Sequence, residues 1–442
     1  MRDVFGRFDR FYDAAGLAGA IIVILLLLAL LIMTIAGKRW WLLTIFVAAL
    51  MFSGHVNDRL DSGSTLLRWA IMFLMALTAL RGIGNPGLAA IMLGTMAIVG
   101  LVGSFRAPSL FFAIQKSGLL FILVIPMASA MAASIQTRSD VRRFLLILLF
   151  GSSIFLVLAL ASLGELRGSR FGGATKNAPL FVQTGGMLLP VVLWATLAIK
   201  VKWLRAASAA IGMGIATICV LSGQRTGTFA GFIACVPLVG ARLGIKRLLM
   251  ALVIVAATAL VAYQVLSLFP AQKEFVMKRF TSADTTGRMG LWQAAYEGCL
   301  TAPWLGHGVG SNATLGFGFH NAYLGIWYDQ GLLGLSLYAG ALLALLGQSL
   351  RLMLPRHCEE DREYGRLFAG IMLGSIVAAF FEVKLDSPSN FFIFMTAAVS
   401  VMVSRLAAID SKPVWQETAL PPYTLQERAD PNLALLIQSY YA

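Results

Sequence analysis

The sequence predicts an all-α polytopic membrane protein of about 12–13 transmembrane helices, with one long loop that carries short amphipathic helices of its own. Three observations predict it. Hydrophobic residues make up 58% of the 442 residues and charged residues only 13%, roughly half the charge density of a soluble domain. Runs such as Ile21–Ala36, Phe144–Leu163 and Leu248–Phe269 approach or reach the ~20 residues that cross a bilayer. Those runs are continuous rather than alternating at period two, which argues against a membrane β-barrel.

Taken in order, the apolar runs predict spans over 17–36, 40–54, 65–81, 87–104, 117–134, 143–163, 178–199, 203–222, 226–241, 247–269, 321–350, 366–382 and 389–408. Several early ones are short. The first is read as retained: Arg2, Arg7 and Arg10 are balanced by Asp3, Asp9 and Asp13, and Gly37-Lys38-Arg39 stands where a signal peptide would have a small-residue cleavage site. Cytoplasmic loops collect lysine and arginine, which places Arg138/Arg142/Arg143, Lys200/Lys202/Arg205, Arg242/Lys246/Arg247 and Arg351/Arg356/Arg362/Arg366 inside. Their alternates, 104–117, 163–177, 222–226, 270–320 and 382–388, are then outside, and the C-terminus is cytoplasmic. The side of the N-terminus depends on whether the first run spans in full.

This organisation gives N-terminal transmembrane helices (1–269), an outer loop region (270–320), C-terminal transmembrane helices (321–408) and a cytoplasmic tail (409–442), within one integrated membrane domain. Pro413, Pro421, Pro422 and Pro431 keep most of the tail from ordering. In the long loop, Leu291, Trp292, Ala295, Tyr296 and Cys299 recur at spacings of three and four, one face of a helix over Arg288–Leu300 that Pro303 stops. Gln272–Phe280 reads as a second such helix, and glycines 306–318 as a flexible approach to His320.

The net charge is +14, yet no basic–aromatic nucleic-acid motif accompanies it, so anionic lipid is the expected partner and nucleic acid is not. Cys219, Cys235, Cys299 and Cys358 form no CxxC pair, and no Asp-x-Asp is present; neither a metal nor any other cofactor is expected. Outer-face bases run against the usual orientation bias and become candidates for binding an anion.

Four outer-face stations concentrate those candidates. Arg170-Phe-Gly-Gly-Ala-Thr-Lys176-Asn177 opens a span, and Ser222-Gly-Gln224-Arg225-Thr226-Gly227 is a tight turn between two others. Thr286-Gly-Arg288 with Trp292 is followed by Pro303-Trp304-Leu-Gly306-His307-Gly308; His320-Asn321-Ala-Tyr323 is followed by Gly331-Leu-Leu-Gly334. Gly331 and Gly334 read most simply as helix-packing residues, and Trp292 as an interfacial anchor. Asp329, deep in its span, is a costly place for a carboxylate.

In order and spacing, Arg170 to Gly334 resembles the O-antigen ligase/polymerase superfamily of bacterial envelope glycosyltransferases, and within it the ligases. The resemblance implies a GT-C-like fold in the bacterial inner membrane, with the long loop and the active site at the periplasmic face. It implies transfer of O-antigen polysaccharide from undecaprenyl diphosphate to lipid A–core oligosaccharide, with inversion and without metal. An O-antigen polymerase, another lipid-linked-oligosaccharide transferase and a lipid or oligosaccharide transporter are the alternatives.

The residues fit such chemistry on their own terms. Cleaving a sugar–diphosphate bond requires the charge developing on the leaving group to be neutralised, and guanidinium forks can do so in place of a metal. Arg225 and Arg288 are the leading candidates, with Arg170 third. The acceptor hydroxyl needs a base, and His320 at the start of a span is the best placed imidazole. Lys176, Asn177, Gln224, Asn321, Tyr323 and His307 complete the expected substrate-binding set.

Overall fold

The computed structural model describes residues 28–166, 168–240, 258, 260–281, 288–312, 319–381 and 391–410, with the backbone alone described for Glu165, Arg288 and Asp410. The regular structure among these residues is helical, and the sole strand-like pairing among them is a short bridge between His55 and Thr175. In chain order the helices are α1 (Arg39–Met51), α2 (Asp58–Ala79), α3 (Leu88–Val102), α4 (Leu110–Ile122), α5 (Arg138–Ala161), α6 (Ala178–Ala198), α7 (Lys202–Leu221) and α8 (Arg225–Gly240). Then come α9 (Pro270–Thr281), α10 (Arg288–Thr301), α11 (Ala322–Leu352), α12 (Glu359–Ala379) and α13 (Phe391–Asp410). Eight of the described helical stretches are long and apolar enough to cross a bilayer. The expected spans 17–36 and 247–269 lie partly outside the described residues, as do Arg242, Lys246 and Arg247; the proline-rich tail lies outside from 411.

Polar residues at the loop edges start these helices. Asn57 Oδ1 accepts the amides of Arg59 and Leu60 at the start of α2, and Ser109 caps α4. Thr137 and Asp140 exchange bonds in a capping box that opens α5. α4 continues to Ser134 through a π turn at Leu123–Met127, where Pro126 has no N–H to give to a regular helix. α6 and α13 form the core: 78% and 72% of their most apolar stretches are buried. α8 packs on α6 and α12, and α11 on α3 and α12. Close approach makes the α8–α12 contact, since a Cβ on Gly374 would stand 2.7 Å from the carbonyl of Ala230.

Cross-contacts sort the loops into two faces. At one, the 54–56 segment pairs with 174–176 through Val56 N to Ala174 O (2.8 Å) and Lys176 N to Gly54 O (2.7 Å). At the other, Arg138 donates to buried Asp361 in a two-pronged pair at 2.8 and 2.7 Å, joining α5 to α12. That second face also carries guanidinium groups on helix C-terminal carbonyls: Arg81 on Ile35 (2.7 Å), Arg205 on Ile199 (3.0 Å) and Arg405 on Ala132 (3.0 Å). These basic side chains gather at helix ends whose carbonyls carry partial negative charge.

Candidate active site at one face of the bundle

Three clusters occupy the face from which α2, α6, α8 and α11 start. The first centres on Gln272 of α9, which is fully buried. Its Nε2 donates to Ser169 O (3.0 Å) and Leu221 O (2.8 Å), and its Oε1 accepts from Gly168 N (3.0 Å). One amide thus ties the segment leading to Arg170, the turn leading to Arg225 and the basic helix α9. Sequence reasoning did not single out Gln272; an uncharged residue on an amphipathic helix carries no signal of its partners. Arg170 itself is exposed, and Arg225, half-buried, is the first residue of α8. Gln224, 5% exposed, gives its carbonyl to Thr228 Oγ1 (2.8 Å), while its Nε2 has no hydrogen-bond partner.

The second cluster forms around a break in α11. This helix is 31 residues long, too long to stand straight within a ~30 Å hydrocarbon core. It breaks at Gly331, whose φ of 68° and ψ of −173° are accessible to glycine and strained for other residues. Residues 303–312 dock into the break. His307 N donates to Tyr328 O and Gly308 N to Asp329 O, both at 2.9 Å, and Leu332 N donates back to Pro303 O at 2.7 Å. The Asp329 carboxylate accepts Gly310 N and Asn312 N, each at 2.9 Å. The 306–312 glycines are therefore a docked backbone strip where a flexible approach was expected, and Gly331 makes the helix break that receives it. Glycine alone does not distinguish freedom from close approach; the facing carbonyls do.

His320 is the one non-glycine with positive φ among the described residues, at 48°. It is held between neighbours. Trp292 of α10 donates Nε1 to Phe319 O at 2.8 Å, so this tryptophan clamps the loop in addition to any interfacial role. Asn321 is buried and caps α11 through Leu324 N (3.1 Å). Tyr323 donates its hydroxyl to Ile376 O at 3.2 Å and lies 4.7 Å from the Phe380 ring. His307 stacks on Tyr328 at 4.4 Å, with Nε2 within 3.0 Å of Gly298 O and 3.1 Å of Thr301 Oγ1. The Cys299 thiol, buried nearby, is pushed up to about 12 by desolvation, which leaves it inert as a nucleophile.

The end of α12 joins the clusters. Phe380 meets Tyr323, Phe381 meets Trp292 at 6.4 Å, and Ala378 lines the same crevice as Gly227, two residues past Arg225. Arg288 opens α10 one turn before Trp292; its side chain lies outside the described residues. Lys176 and Asn177 belong to a third group. Lys176 pairs with Asp58, and Asn177 caps α6 through Leu180 N (3.1 Å), beside His55 and Asp61. Arg68, 2% exposed within α2, reaches Ser53 Oγ and Thr65 Oγ1, both at 2.6 Å, and helps to hold that corner.

Residues 209–339 match the family described as O-antigen ligase. The matched segment contains Gln224, Arg225, Arg288, His307, His320, Asn321 and Tyr323. That segment is similar to the O-antigen ligase family. With eight described helical stretches long and apolar enough to cross a bilayer, the chain is a multi-pass membrane protein. No curated protein matches it. Among solved structures, one similar chain comes from a peptidoglycan synthase complex described as coordinating polymerization and crosslinking, at 19% identity and TM-score 0.43, covering 74% of this chain and 98% of that one. Among the described residues no group of three or more His, Cys, Asp or Glu side chains could hold a metal ion.

Proposed function

We propose that the protein transfers O-antigen polysaccharide from undecaprenyl diphosphate to lipid A–core oligosaccharide, at the periplasmic face of the bacterial inner membrane, by a metal-independent inverting displacement. The observation that carries this reading is the family segment itself: it holds Arg225, Arg288 and His320, and their helices meet at the outer end of α12. His320 takes the proton of the acceptor hydroxyl as its oxygen attacks the anomeric carbon. The bond from that carbon to the diphosphate oxygen breaks on the opposite side, which inverts the configuration. Arg225 and Arg288 neutralise the departing undecaprenyl diphosphate. The open donor valence on Gln224 Nε2, buried beside Arg225, is a group that a phosphate or sugar oxygen would satisfy. Arg170, Asn321 and Tyr323 line the approach, and His307 and Lys176 act through the loops they hold.

Purified protein, supplied with undecaprenyl-diphosphate glycan and lipid A–core in the presence of a chelator, is expected to give capped lipopolysaccharide. His320→Ala and Arg288→Ala should each lower transfer by about 10²-fold or more, at unchanged expression. Elongated donor without capped acceptor would reassign the protein as a polymerase. Movement of lipid across vesicles without any transfer would make it a transporter, and wild-type turnover in either variant removes that residue from the mechanism.

A further inference from the structure

We infer that Tyr328 and Asp329 are a positioning pair for His320: set within a membrane span, Asp329 buried and Tyr328 half-buried, they hold the chain at 307–312 and at Phe319, on either side of the approach to the imidazole. The inference rests on the reading of His320 as general base. A carboxylate at this depth is costly to bury and persists where it is fully engaged. Asp329, 5% exposed, is engaged by backbone: Oδ2 accepts Gly310 N and Oδ1 accepts Asn312 N at 2.9 Å, and its own carbonyl accepts Gly308 N at 2.9 Å. Three amides within five residues thus converge on one side-chain and main-chain unit.

Tyr328 extends the grip. Its carbonyl takes His307 N at 2.9 Å, its ring stacks on the His307 ring at 4.4 Å, and the same ring meets the Phe319 ring edge-on at 5.3 Å. Phe319 is the residue before His320, and Trp292 fixes its carbonyl from α10. A non-glycine backbone at φ 48° persists where the surroundings over-determine it, and these contacts supply that constraint. Neither side chain needs to touch substrate. Their effect runs through loop position, and a displacement of about 1 Å at a reacting group costs about 10²-fold in rate.

The test uses full-length protein in detergent with the assay above. Asp329→Asn keeps the outline of the side chain but turns an NH2 toward one of two backbone N–H groups, so one amide loses its acceptor. Amide hydrogen exchange across 308–312 should accelerate in that variant, and kcat should fall about 10²-fold with the donor KM retained. Asp329→Glu, which restores both acceptor oxygens, should recover protection and much of the rate. Tyr328→Leu leaves the carboxylate in place and should show the same loss in kcat at retained KM; it carries the test if Asp329→Asn does not survive purification. Wild-type kcat or wild-type exchange in Asp329→Asn overturns the inference, as does wild-type kcat in Tyr328→Leu, a loss confined to KM, or no recovery with glutamate. If the wild-type protein transfers no glycan, the base reading of His320 falls, and the exchange measurement alone decides the clamp.

Discussion

At the scale of single residues, the site separates side chains that the fold already uses from those with unfilled valences. Asn177 and Asn321 both spend their Oδ1 on helix starts, and Tyr323 donates its hydroxyl to Ile376. Gln224 differs, because its buried Nε2 bonds to nothing in the protein. Replacing an unsatisfied buried amide by an apolar group of similar size is nearly neutral for folding. Gln224→Leu should therefore keep its unfolding midpoint while its donor KM rises; a large fall in midpoint would show that the amide is structural. His55 offers a second residue-level test. Burial lowers its pKa from 6.5, opposed by Asp61 and reinforced by Lys176. A folded-state pKa below the unfolded value means that the unfolded chain binds the proton more readily. The contribution of His55 is then present above pH 6.5 and is lost as pH falls through the lower, folded-state pKa. A pH series of thermal midpoints should show this decline in the wild type and a shallower one in His55→Gln.

At the scale of elements, the break in α11 is the decisive device. Its sequence is a mostly apolar run with five glycines, which hydropathy alone reads as one long span. The 303–312 strip that fills the break lies far from Gly331 in sequence, and its hydrogen bonds are backbone bonds with no side-chain signature. Gly331→Ala should destabilise the protein by about 1–3 kcal/mol, because the left-handed conformation resists a Cβ and the added methyl would collide with the carbonyl of Trp304. Unfolding in detergent, with hydrogen exchange across 303–312, reads both effects; an unchanged midpoint would mean that the break tolerates a side chain. The surface helices were more legible. The 3–4 spacing around Trp292 predicts a helix over Arg288–Leu300, and the structure has one over Arg288–Thr301, with Ala295 and Cys299 fully buried. Tyr296, expected on that same face, is 49% exposed and meets Trp327 edge-on.

At the scale of the whole molecule, α12 connects the two faces. Its far end is held to α5 by Arg138 and Asp361, and its near end touches the helices that carry Arg225, Arg288 and His320. Asp361 is fully buried, so Arg138→Ala would leave a carboxylate without its guanidinium partner. The expected cost is on the order of 3 kcal/mol. Thermal unfolding measures it, and a midpoint unchanged from wild type would show that other groups suffice to hold Asp361. The double replacement Arg138→Met with Asp361→Leu should recover much of the loss, since an apolar pair of similar volume has no charge to desolvate.

Composition and run length determined that this chain is a helical, multi-pass membrane protein, because hydrocarbon admits few other backbones and ~20 apolar residues suffice to cross it. The order of Arg225, Arg288 and His320 marked the segment that carries the family likeness, residues 209–339, while Arg170 stands before it. Tertiary structure alone decided which stations meet. Gln272, Trp292, Tyr328 and Asp329 do their work through backbone carbonyls and amides of distant segments. Every residue offers those same groups, so no pattern of side chains along the chain can announce where they will be joined.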